Sequence, residues 1–262
     1  AYGGAGRTVA TFEPTYALHS HIARVCGTSV VSGERSEDFE LDLNVVEQVI
    51  SEARPSVTFL CSPNNPTGRV ETPETVAAVL DMTEAVDGLL IVDEAYGQFA
   101  AHSSLEMVSE DRSLAVTRTF SKTWSAAALR LGYLIGPTWL VAELDKVLLP
   151  YHLDALKQTA GVLALRHVDE MEARVAHLVE ERGRVAAALD ELAVTQWPSG
   201  ANFILFRPQP VSGELVWQRL VDAGVLVRNC ASWPRLDDCL RVTLGTSAEN
   251  DAFLAALRAA LG

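Results

Sequence analysis

The chain has 262 residues and carries 34 acidic against 21 Lys and Arg side chains, a formal net charge of −13. That length can bury a sizeable core and suits two lobes. So acidic a surface argues against nucleic acid or an anionic membrane as partner, since both need clustered Lys and Arg. Any anion bound here must meet a local cluster of positive groups. No apolar run is long enough to span a bilayer. Cys26, Cys61, Cys230 and Cys239 show neither CxxC pairing nor zinc-ligand spacing, so they are expected to stay reduced in a cytoplasm. His19 and His21, two apart, would point to different sides of a helix and make no metal site.

In chain order, Thr8–Phe12 reads as a strand and about Tyr16–Cys26 as a helix. Asn44–Glu52 has helical periodicity, and Val57–Cys61 is a short buried strand. Pro73 suits a first turn, and the helix it opens runs to about Ala85. Leu89–Asp93, Leu114–Phe120 and Tyr133–Ile135 read as further strands. Strands and helices alternating at this spacing predict a largely parallel sheet covered on both faces. Ligands of such sheets bind beyond the carboxyl ends of the strands, where Asn65, Asp93, Ser121 and Lys122 fall.

After Pro150 the texture changes. Leu156–Leu192 reads as one long helix rich in Ala, Leu, Glu and Arg, without a sustained heptad. Phe203–Phe206, Val225–Val227 and Cys239–Leu244 then read as strands, with helices at about Glu214–Ala223 and Ala248–Leu261. This is a second, smaller α+β lobe.

Three runs carry chemistry. In Thr119-Phe-Ser-Lys-Thr-Trp-Ser-Ala-Ala-Ala-Leu-Arg130, the Lys122 amine is placed to form a Schiff base, next to a hydroxyl and a guanidinium suited to a phosphate. Alone, such a lysine is as readily a surface charge. Ser62-Pro-Asn-Asn-Pro-Thr-Gly68 is built of turn residues, yet it also offers an amide at a strand end. Asp93-Glu-Ala-Tyr96 puts an acid at the end of an apolar strand, where it needs a cationic partner or serves as a helix cap.

The order SPNNPTG, DEAY, a serine–lysine pair and an arginine eight residues on resembles the fold type I pyridoxal-phosphate aminotransferases. The later segments resemble the histidinol-phosphate aminotransferase branch, and the likeness runs from Phe12-Glu-Pro-Thr-Tyr16 to Cys239-Leu-Arg-Val-Thr-Leu-Gly245. It implies an α/β transferase fold, a mostly parallel sheet sandwiched by helices plus a smaller C-terminal α+β domain. Residues 1–153 would form the cofactor-binding domain, and 154–262 the linking helix and small domain. Relatives begin upstream of Ala1, so an N-terminal portion is expected to be missing.

By this resemblance Lys122 carries pyridoxal 5′-phosphate and moves the substrate proton. Asp93 keeps the pyridine nitrogen protonated. Asn65 and Tyr96 bond the ring's phenolic oxygen, and Tyr16 stacks on its face. Ser121 and Arg130, with Thr119, hold the 5′-phosphate. Arg241 looks like the family's carboxylate-binding arginine. Arg228 adds a second guanidinium, as a phosphate dianion would want, and Tyr151 a hydroxyl to the same pocket. The implied reaction interconverts histidinol phosphate and 2-oxoglutarate with imidazole-acetol phosphate and glutamate, in a homodimer. An O-phosphothreonine decarboxylase and an aromatic aminotransferase are alternatives on the same scaffold. A cofactor-sensing domain of a transcription regulator is an alternative of another class. Two departures from the family pattern stand out: Ala128 where glycine is usual, and Asn229 where an acid commonly follows the arginine.

Overall fold

The computed structural model describes residues 1–262. Its first sheet comprises β1 (Thr8–Glu13), β2 (Ser29–Glu34), β3 (Val57–Cys61), β4 (Leu89–Asp93), β5 (Leu114–Thr119) and β6 (Gly132–Ile135). Their spatial order is β2-β1-β3-β4-β5-β6. Every neighbouring pair is parallel except β5 with β6. The crossovers carry α1 (Leu18–Val25), α2 (Leu43–Ala53) and α3 (Pro73–Glu84). Asp42 and Thr72 cap α2 and α3 by accepting from the backbone N–H groups of Asn44 and Thr75. Phe12, Ile50, Leu60, Leu80, Leu90 and Leu114 are fully buried in one apolar cluster between this sheet and α2 and α3. The strands read as near-continuous apolar runs because both faces are covered.

The chain then forms α4 (Thr138–Asp145), α5 (Ala155–Ala164) and α6 (Val168–Asp190). The second sheet comprises β7 (Val194–Gln196), β8 (Phe203–Pro208), β9 (Arg228–Asn229) and β10 (Leu240–Thr243), ordered β7-β8-β10-β9 and wholly antiparallel. It packs with α6, α7 (Gly213–Asp222) and α8 (Ser247–Leu261) around Val185, Leu189, Phe206, Leu220 and Leu257. A reciprocal capping box between Thr246 and Glu249 starts α8.

The architecture is the expected one, with corrections in detail. The long helix is two: a 3₁₀ turn at Leu165–His167 separates α5 from α6. Gly161 of α5 lies against Leu131 and Phe120 of the first lobe, whereas α6 buries Val185 and Leu189 in the second. One straight rod cannot serve both surfaces. The strand expected at Val225–Val227 forms instead at Arg228–Asn229, since the Val227 carbonyl accepts from the Trp217 indole (3.1 Å) rather than from a neighbouring strand. The edge strand β2, α4 and the three-residue β7 escape the sequence reading because they are short or weakly patterned.

The lobes are tied directly. Phe39 of the first packs on Trp197 of the second with ring centroids 4.9 Å apart. Arg235 donates to the carbonyls of Arg35 and Ser36. Arg182 of α6 donates to Phe99 O (3.2 Å) and Ala201 O (2.8 Å), bridging both sides.

Candidate active site

Parallel register brings three strand ends together: Cys61 pairs with Asp93, and Asp93 with Thr117. Because β6 runs antiparallel to β5, Thr119 pairs with Gly132, and Arg130 just before β6 returns beside the end of β5. That reversal is why an arginine eight residues after Lys122 reaches the same place. Arg130 sits in the left-handed region (φ 49°), a conformation side chains adopt at a cost and one that recurs at functional sites.

The strand ends surround a cavity of about 380 Å³ whose lining includes all eight residues expected to hold the cofactor: Tyr16, Asn65, Asp93, Tyr96, Thr119, Ser121, Lys122 and Arg130. Lys122 Nζ lies 5.1 Å from the centre of the Tyr96 ring. Neither Lys122 nor Arg130 makes an ion pair with a carboxylate, although acids outnumber bases in the chain. The third cation of the cavity, Arg118, is neutralised by buried Glu94 (2.8 Å), which also accepts from Ser103 and the Ser104 N–H.

Both oxygens of Asp93 are held. Its Oδ1 accepts from the Ala95 N–H (2.9 Å), and its Oδ2 is 2.9 Å from His19 Nε2. The His19 ring stacks flat on Phe59 (4.5 Å between centroids, 6° between planes) and meets the edge of Tyr16 at 5.3 Å. This contact to His19 lies outside what the sequence pattern indicates, which bears on His19 only as a metal ligand. The available signal was its position three residues after Tyr16, one helical turn along, on the helix that follows β1. Burial, then the Asp93 charge, push the Tyr16 phenol above its usual range, so it stays neutral at physiological pH. The same two causes push the Cys61 thiol strongly up, which leaves it inert beneath the cavity.

The Thr119 hydroxyl donates to Leu131 O (3.3 Å) and accepts from Ser121 N (3.1 Å). Through these two bonds it braces the turn that carries Ser121 and Lys122. Tyr151 is 99% exposed and absent from the cavity, carried outward on the segment between α4 and α5.

Arg241 and Arg228 lie outside the cavity lining, in the second lobe. Arg241 donates to Asn65 Oδ1 and stacks on Phe203 with its guanidinium carbon 4.6 Å from the ring centre. Since an arginine only donates, Asn65 turns its carbonyl to Arg241 and keeps its amide N–H₂ for the cavity. Phe203 in turn meets Tyr96 edge-on at 5.0 Å, so one ring links the two places. Sequence reasoning gave Phe203 no part in the site. Arg228 stands directly opposite Arg241 in the β9–β10 ladder.

The fold and the cavity together define a transferase of the pyridoxal-phosphate type. The chain belongs to the aminotransferase class I and II family, whose sequence profile matches residues 2–257, and pyridoxal 5′-phosphate is the cofactor of that family. It is 44% identical over 261 residues to the histidinol-phosphate aminotransferase of Streptomyces avermitilis, covering 98% of this chain and 69% of that one. Against the enzyme of the same name from Frankia casuarinae it is 43% identical over 261 residues, spanning 98% of this chain and 64% of the relative. In structure it resembles the histidinol-phosphate aminotransferase of Sinorhizobium meliloti in complex with pyridoxal-5′-phosphate, with TM-score 0.87, 24% identity and coverage of 98% and 71%.

Proposed function

We propose that this chain carries the catalytic core of a histidinol-phosphate aminotransferase, exchanging the amino group between histidinol phosphate and glutamate. Imidazole-acetol phosphate and 2-oxoglutarate are the corresponding keto partners. The donor set suits pyridoxal phosphate: an amine, a held carboxylate, a hydroxyl, an unpaired guanidinium and a flat aromatic ring share one cavity. When bound, the cofactor supplies an electron sink for the substrate's Cα.

The chain's own residues do the rest. Lys122 would anchor the cofactor and, as a free amine, would hold and move the proton of the substrate's Cα. Asp93 holds a proton at the ring nitrogen, and His19 and the Ala95 N–H fix that carboxylate. The Asn65 amide, the Tyr96 hydroxyl and the Tyr16 ring would hold the cofactor's ring. Ser121 and Arg130 bind the 5′-phosphate, braced by Thr119. Arg241 binds the carboxylate of glutamate. Arg241 and Arg228 together bind the phosphate of the alternate substrate, which carries no carboxylate there.

The observation that carries this reading is the arginine pair. Like charges directly opposite in a ladder repel, yet Arg228 and Arg241 face each other and neither has a carboxylate partner. Such a pair is stabilised by a bound dianion. The division at residues 153 and 154, a cytoplasmic location and a homodimer belong to the same proposal. No helix is long and apolar enough to cross a membrane. Leu149 and Leu156 are 74% and 82% exposed, a face that a second copy would cover.

The test compares Arg228→Gln with the natural protein, as the full chain, on histidinol phosphate, O-phosphothreonine, phenylalanine and glutamate. Loss of charge-assisted bonds should raise KM for histidinol phosphate roughly ten- to hundred-fold and leave glutamate nearly unchanged. Equal losses on both substrates, or faster release of CO₂ from phosphothreonine than transamination of histidinol phosphate, would refute it.

A further inference from the structure

Arg228 is held by almost nothing of its own. It makes no side-chain hydrogen bond and no ion pair. The neighbouring Asn229 is committed elsewhere, donating to Glu214 Oε2 (2.7 Å) and accepting from Ala231 N (3.0 Å). Across the ladder Arg241 repels it, while Arg241 is itself fixed by Asn65 and Phe203. The Arg228 guanidinium lies over the ring of Trp233, 5.2 Å from ring centre to guanidinium carbon.

Trp233 is well placed to serve as a fixed wall. Its backbone N–H donates to Cys230 O (3.0 Å), and its ring packs on the buried cluster of Phe39, Trp197, Leu205, Cys230, Leu236 and Cys239. Phe39 belongs to the first lobe, and Arg235, two residues after Trp233, donates to Arg35 O and Ser36 O of that lobe. The wall behind Arg228 is thereby referenced to the lobe that holds the cavity, and not only to its own sheet. The Trp233 indole Nε1 is buried without an acceptor. A buried indole N–H ordinarily finds one. The ring is therefore placed by its packing on that cluster and not by a hydrogen bond, and its face is presented to Arg228.

We propose that Trp233 is a positioning residue that sets selectivity for the phosphorylated substrate, by stacking on Arg228 and holding its guanidinium against the repulsion of Arg241. The inference rests on the phosphate role given to Arg228 above. A flat aromatic face attracts a guanidinium and restricts it to a plane parallel to the ring. A ligand phosphate then meets a guanidinium already oriented, and does not have to order it on binding.

The experiment uses the full chain with Trp233→Phe, Trp233→Leu and Trp233→Met, the last keeping volume in the cluster should the leucine variant fold poorly. Phe keeps the face and loses the N–H, so KM for histidinol phosphate should stay within about two-fold of the natural protein. Leu and Met remove the face and should raise that KM roughly three- to thirty-fold, with kcat and the KM for glutamate nearly unchanged. Added to Arg228→Gln, Trp233→Leu should cost little more, because it acts through that arginine. An unchanged KM in the leucine or methionine variant overturns the proposal. So does an equal rise for both substrates, or a full additive loss in the double variant. If Arg228→Gln itself shows no selective effect, the phosphate reading fails first; if it does and Trp233→Leu does not, only the role of Trp233 fails.

Discussion

The cavity in the first lobe and the arginine pair in the second handle charge in opposite ways. Around Asp93 charge is locked: the carboxylate is held by His19 and a backbone N–H, and Glu94 neutralises Arg118 nearby. Around Arg228 and Arg241 charge is left open, supported by the faces of Trp233 and Phe203 and by no acid. The locked arrangement suits a cofactor that stays through every turnover, for which preorganised groups avoid reordering. The open one would suit the two alternating substrates proposed above, one with a carboxylate and one with a phosphate. A counter-ion built into the chain there would compete with both.

The contrast can be broken at its centre. Removing the amine by Lys122→Ala should lower turnover on the order of 10²–10⁴-fold or more on every substrate alike, since both half-reactions need the same base. Borohydride reduction of the natural protein with pyridoxal phosphate should place the label on Lys122. A label on a different lysine would sink the assignment of the cavity.

A smaller effect is expected where the cavity is braced. His19→Phe keeps a ring against Phe59 but removes the bond to Asp93. It should slow proton abstraction roughly ten-fold without selectivity between glutamate and histidinol phosphate. Rapid-mixing absorbance of each half-reaction reads this. A loss confined to one substrate would mean that His19 acts on binding and not through Asp93.

The smallest effect lies far from both places. Glu181 is buried in the second lobe, where bonds from Arg184 and then Asn250 hold its carboxyl down at about 2, below its ordinary 4.5. A depressed folded-state pKa stabilises above the unfolded value and loses that contribution as pH falls through the folded one. Glu181→Gln should therefore lower the thermal midpoint near neutral pH, with the gap from the natural protein closing between about pH 4.5 and 2. Glutamate transamination at moderate temperature should be unaffected. A gap that persists at the acid end would show that shape, and not charge, makes Glu181 matter.

By sequence alone, the alternation of apolar strands with helices determined the parallel sheet, because burial on both faces leaves only apolar runs. It also determined that Asn65, Asp93, Ser121 and Lys122 fall at strand ends, and all four line the cavity. What lay beyond it were contacts between residues distant in the chain. His19 reaches Asp93 across 74 positions, and Arg241 reaches Asn65 across 176. The break between α5 and α6 was hidden too, since no proline or glycine marks Leu165–His167 and packing on two different lobes imposes it. The exposure of Tyr151 is likewise set by the path of the backbone between α4 and α5, which its neighbours in the chain do not reveal. Local pattern specifies elements and strand ends through periodicity, which each segment carries in itself. Which side chain meets which is decided only when the sheets close, since register and lobe contact belong to pairs of segments and to neither one alone.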